Sequence, residues 1–204
     1  MQEQFHFFVA VWLKFFFIFT PFFALSMFLS MTGEYTERRR RKLAAMISVA
    51  VAVICIGLFF LGNQLFAIFG ITLDAFRIGV GALLFLSAVG LVQGRKTSPD
   101  ANQEADIAVV PLAMPVIVGP ATTGTLLVMG AGLTNVTEKI VGCLALLFAV
   151  VCVGVMLLLG TSIERGIGQR GLNILSKLTG IILAALAAQM IMDGILGFIA
   201  AKGA

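Results

Sequence analysis

The sequence predicts an all-α membrane protein of six transmembrane helices, arranged as an inverted 3+3 repeat with broken first and fourth helices. Three observations predict it. Of 204 residues, 60% are hydrophobic and 12% charged, with a mean hydropathy of +1.07, well above the roughly 45–50% apolar share of soluble domains. Six apolar stretches are separated by short polar breaks, each near the ~20 residues needed to cross a hydrocarbon core about 30 Å thick. Pro21 in FTPFFALS and Pro120 in VGPATTGT interrupt helix-length apolar stretches about 99 positions apart, a pattern expected of paired discontinuous helices.

The first stretch covers about 5–31 and ends at TGEYTERRRRK. Glu3 and the lack of a basic cluster or small-residue cleavage site argue that it is retained. The second, about 43–61, ends at GNQ; a short apolar piece, LFAIFG, leads through ITLDAF into the third, about 76–92. The polar run QGRKTSPDANQEAD carries loop-forming residues and divides the chain. The expected organisation is a first three-helix repeat at 1–94, a cytoplasmic linker at 95–106 and a second repeat at 107–204. The fourth stretch, about 107–133, contains Pro111, Pro115 and Pro120; the fifth covers about 140–159; SIERGIGQRGLNILSK precedes the sixth, about 178–200.

Arg38, Arg39, Arg40, Arg41, Lys42, Arg95, Lys96, Arg165, Arg170 and Lys177 fall in loops one, three and five, against only Arg77, Lys139 and Lys202 in the remaining loops and tail. The positive-inside bias puts both termini outside. Three spans per half then require that a repeat between the halves be inverted. Ala24 aligns with Thr123 and Ser26 with Thr125 at the proline offset, and RIGVG with Gln93-Gly94 parallels KLTGI with Asp193-Gly194 at an offset of about 100.

A proline inside a helix removes a backbone hydrogen bond and clashes one turn back, so matched breaks point to a buried cavity rather than to lipid. Gly119 allows close backbone approach, and a helix restarting at Pro120 directs free N–H groups toward a carboxylate. Thr122, Thr123 and Thr125 add hydroxyls from that side, and Thr20, Pro21 and Ser26 form the opposite face. The competing reading is that these hydroxyls bond back to their own helices and that the prolines merely kink. Asp193, with Gln189 one turn earlier, could hold a cation or a substrate amine. Lys14 is either an internal charge or snorkels from an interfacial aromatic segment. Asp74, Asp106 and Arg77 mark helix ends, His6 is interfacial, and Cys55, Cys143 and Cys152 are packing residues without metal or disulfide spacing. With one histidine, no nucleophile triad, phosphate-binding glycine loop or metal cluster assembles, so an enzyme is not expected and no cofactor is implied.

VVPLAMPVIVGPATT, FGITLDAFRIGVGALL and AAQMIMDGIL together resemble the MarC family of six-span bacterial membrane proteins, over nearly the whole chain. The first of these looks like the family's V-P-L-A-x-P-x-x-x-G-P motif. In the first span, Thr20, Phe23 and Ser26 depart from the usual D/N-P-x-G/T-x-x-P. Some members look like small neutral amino acid transporters. The resemblance implies an inner-membrane secondary transporter or exporter of a small polar metabolite, working by alternating access, with proton or sodium coupling left open. The expected partners are a small-molecule substrate and membrane lipids, not nucleic acid, with homo-oligomerisation open. A non-transporting membrane scaffold and a drug-efflux protein are the alternatives.

Overall fold

The computed structural model describes residues 2–94 and 117–203, all of whose regular elements are α-helical. The order is α1 (Gln2–Ile18), α2 (Pro21–Met31), α3 (Glu37–Phe69), α4 (Leu73–Gln93), α5 (Pro120–Gly132), α6 (Val136–Leu158) and α7 (Gly160–Gly203). Among the described residues, five segments are long and apolar enough to cross a bilayer: Gln2–Met31, which joins α1 and α2 across their break, Glu37–Phe69, Leu73–Gln93, Val136–Leu158 and Gly160–Ala201. α5 has 13 residues, short of a full crossing. The linker expected at 95–106, together with Pro111, Pro115 and Asp106, lies outside the described residues.

Local chemistry sets the helix ends. Thr36 Oγ1 accepts from Arg39 N at the start of α3, Thr72 Oγ1 from Ala75 N (3.3 Å) at the start of α4, and Asn135 Oδ1 from Thr137 N (3.0 Å) before α6. These are N-caps that satisfy orphan donors. Gly70 and Gly94 close α3 and α4 in the left-handed region, at φ 62° and 69°, where glycine carries no Cβ penalty.

Lipid offers helices no hydrophobic reason to associate, so close packing must hold them together, and small residues permit it. α4 pairs with α7 along most of its length, α3 with α5 and α6, α1 with α6, α2 with α7, and α4 with α5. A Cβ at Gly130 would collide with the Phe59 carbonyl, and one at Gly62 with the Leu127 carbonyl, so α3 and α5 touch through their backbones. At the α4–α7 seam, a Cβ on Gly81 would lie 3.1 Å from Ala187 O and one on Gly180 3.0 Å from Ala88 O. The larger core contains Phe15, Phe19 and Phe28 from α1, its end and α2, Phe59 from α3, and Leu146 from α6. A smaller one gathers Ile18, Val80, Leu84, Ala121, Leu183 and Met190. Outward, Val49, Val53, Leu86, Leu144, Val151, Ile174 and Ile181 remain exposed, the apolar exterior that a bilayer solvates.

The start of α3, which carries Arg38, Arg39, Arg40, Arg41 and Lys42, meets the start of α7, which carries Arg165 and Arg170. Arg40 donates to Thr32 O and Thr161 Oγ1, both at 2.8 Å, tying the start of α3 to the C-terminal end of α2 and the start of α7. Arg39 lies over the Tyr35 ring at 4.2 Å.

Two expected polar breaks are helical. GNQ does not end α3, which continues to Phe69; Asn63 and Gln64 sit on the exposed side of a helix whose other face still packs. SIERGIGQRGLNILSK lies within α7, interrupted at Gly168 (φ 66°, ψ 170°). Near a headgroup region, polar residues are compatible with a helix lying at the surface, so polarity alone does not mark a loop.

Gly130→Ala is expected to lower the thermal midpoint of the detergent-solubilised protein, since overpacking a tight site costs about 1–3 kcal/mol. Gly57→Ala, where a Cβ meets open space, should leave the midpoint unchanged or raise it.

Candidate functional site

Both prolines begin helices. α1 ends at Ile18, and α2 starts with Pro21 after Thr20, whose φ 47° and ψ 56° make it left-handed. α5 starts with Pro120 after Gly119 in extended conformation. Proline suits this first position because the N–H it lacks would be unpaired there anyway. The two starts are built alike: Ala24 N donates to Thr20 O and Thr123 N to Gly119 O, each at 2.9 Å. Neither cap residue contributes a side-chain hydrogen bond. The N–H groups of Phe22 and Phe23, and of Ala121 and Thr122, are therefore the orphan donors of their helices.

The two starts border one cavity of about 430 Å³. Thr20, Gly119, Pro120 and Thr122 line it together with Ile18, Phe23, Ser87, Gly90, Leu91 and Leu183. Its floor is the smaller core, which shares Ile18, Leu84, Ala121 and Leu183 with the lining. The space is thus mostly apolar, with Thr20, Thr122 and Ser87 as its hydroxyls and the exposed Leu83 and Leu86 of α4 also in its lining, the usual character of a small-molecule pocket.

The other candidate residues are distributed differently. Pro21 is buried and does not border the cavity. Thr125 is buried and its hydroxyl donates to Ala121 O at 2.8 Å, the back-bonding alternative; Thr122 also bonds back, to Ile117 O at 3.2 Å, but still lines the space. Thr123 is half-buried outside the lining. Ser26 lies in a second cavity of about 480 Å³, where it accepts a hydrogen bond from Gln169 Nε2. Gln189 donates to Asp193 Oδ1 at 2.8 Å on the exposed side of α7, away from both cavities.

Lys14 is half-buried one turn before the α1 break, within electrostatic reach of Asp193 and Arg77. Arg77 pairs with Asp74 at 2.8 Å in the first turn of α4, and Gly197 of α7 packs against the Asp74 carboxylate. Among the described residues, no cluster of metal-ligating side chains forms. Ser87 and Gly90 escaped the sequence reading, although a hydroxyl within the apolar run LLFLSAVG was an available signal. Phe23 stood out only as a departure from the family's first-span motif, and Leu91 carried no signal.

The chain matches the family described as "MarC family integral membrane protein" over residues 5–199. A UPF0056 membrane protein of Aquifex aeolicus is 33% identical, covering 96% of this chain and 95% of the relative. One from Methanocaldococcus jannaschii is 32% identical over 94% and 97%, and YhcE of Escherichia coli, also a UPF0056 membrane protein, is 30% identical over 87% and 86%. No solved structure matches.

Thr20 holds a backbone conformation that costs a non-glycine residue roughly 1–2 kcal/mol. Thr20→Gly should therefore raise the thermal midpoint and Thr20→Val lower it. Equal midpoints for the three proteins would contradict the left-handed cap.

Proposed function

The chain belongs to the MarC family of integral membrane proteins, and on that premise we propose that it is a secondary transporter or exporter of small neutral amino acids or similar polar metabolites. The observation that carries this reading is that both proline-led helix starts border the same cavity. Helix N-termini favour negative charge, so the substrate carboxylate is received by the backbone donors of Ala121 and Thr122 with the Thr20 hydroxyl beside it, while the Thr122 oxygen, whose proton goes to Ile117 O, accepts from the substrate ammonium. The apolar floor of Ile18, Leu84 and Leu183 limits the side chain to a small, uncharged one. A scaffold has no use for two proline-led helix starts bordering a void.

The halves are read as inverted copies. Under that relation α2 corresponds to α5, α3 to α6 and α4 to α7, so that α3 on α5 corresponds to α6 on α2 and α4 on α5 to α7 on α2, while α4 with α7 and α3 with α6 are self-related pairs; each of these packings occurs. The basic starts of α3 and α7 are assigned to the cytoplasm of a bacterial inner membrane, with both termini outside. Alternating access then comes from one half rocking against the other.

In reconstituted vesicles, Gly119→Leu should abolish flux of neutral amino acids by filling the approach to the α5 donors. Thr122→Val, which removes a hydrogen bond of about 1 kcal/mol, should raise KM roughly fivefold. Unchanged flux in both variants would contradict the site, and no flux in the parent would contradict transport.

A further inference from the structure

The second cavity lies between α2, the C-terminal end of α4 and the basic start of the long α7 segment. Phe23 and Leu91 line both cavities, so the two are consecutive compartments with these side chains at their common wall. The outer compartment is more polar in residue type. Ser26 and Ser30 face Gln169, Asn173 and Lys177. Gln169 follows the left-handed Gly168 directly and donates to Ser26, which fixes α2 against α7 at the compartment's edge.

Among the described residues of this lining, Lys177 is the only formally charged side chain. Its Cε lies about 4.0 Å from where a Cβ of Gly94, the C-cap of α4, would stand. An ammonium therefore sits beside the negative end of the α4 dipole. Positive and negative poles side by side, flanked by amides and hydroxyls over an apolar wall, match a small zwitterion.

We infer that this compartment is a loading vestibule that binds a small carboxylate-bearing zwitterion through Lys177 before the solute passes Phe23 and Leu91 into the cavity between the breaks. The ligand class rests on the transport reading above; the vestibule and its dividing wall do not.

The test uses single cysteines in the full chain carrying Cys143→Ala and Cys152→Ala, Cys55 being buried. A negatively charged and a positively charged methanethiosulfonate are added to the cytoplasmic face of inverted vesicles. Ser30→Cys should react faster with the anionic reagent, and Lys177→Gln should reduce that preference roughly threefold to tenfold, the scale of one unit charge acting across a few ångströms of water. Asn173→Cys reads the same effect from α7 if Ser30→Cys inserts poorly. Gly90→Cys, where a Cβ meets open space, should react slowly in this background and severalfold faster with Phe23→Ala. A charge preference indifferent to Lys177, or a Gly90→Cys rate indifferent to Phe23, would overturn the inference. Flux measured in parallel separates the readings: flux sensitive to Gly119→Leu without the labelling pattern removes the vestibule alone, whereas the labelling pattern without flux supports the vestibule and removes the transport reading.

Discussion

A bilayer core contains no water to pair with exposed backbone groups, and each unpaired N–H or C=O there carries a penalty of several kcal/mol. Everything else in this molecule follows from the two places where the backbone breaks that rule. At Thr20–Pro21 the helical ladder is interrupted, and at both Pro21 and Pro120 a helix starts with donors that no helix carbonyl pairs. Such breaks persist only when turned away from lipid. Here both border one cavity, lined by Ile18, Leu84, Ala121 and Leu183 on its buried side and by Leu83 and Leu86 on the exposed side of α4.

Holding two short half-helices in that position requires backbones close enough for dispersion to replace the missing hydrophobic drive. α5, only 13 residues long, is held against α3 by Gly62 and Gly130, and against α4 where Gly124 meets Val80. α2 is held by Gln169 on Ser26 and by Leu25 and Leu29 against Gly160. The glycines of this chain thus serve the breaks as much as the bundle. A methyl group at Gly130 disturbs the C-terminal end of α5 through the same contact with Phe59 that seats it on α3.

The sequence made the two helix starts legible because proline has one strong meaning there: it lacks the N–H that a helix interior needs and that a first turn does not. The apolar spans were legible for an equally simple reason, their length against that of the bilayer. Facing was not. Thr122, Thr123 and Thr125 lie within one turn of α5, yet only Thr122 reaches the cavity lining, and Thr125 spends its hydroxyl on Ala121 O. In a helix that is apolar on every side, no periodicity separates the cavity face from the lipid face. Gln189 paired with its neighbour Asp193 for the same reason that made it conspicuous, since two polar groups one turn apart satisfy each other. Leu91, which shapes the cavity from α4, is indistinguishable in sequence from lipid-facing leucines, and Phe23 on α2 differs from them only by its place in the first-span motif. The continuation of α7 through SIERGIGQRG was hidden because polar residues there read as a loop, while the conformational break is confined to Gly168.

The central claim is that two proline-led half-helices face one another across a solute cavity. A density map of the protein in lipid nanodiscs with millimolar L-alanine tests it most directly. The account predicts discontinuities at Thr20 and Gly119 bordering one enclosed space, with ligand density against the Ala121 and Thr122 amides. Continuous helices through Pro21 and Pro120, or breaks opening onto lipid, would contradict it.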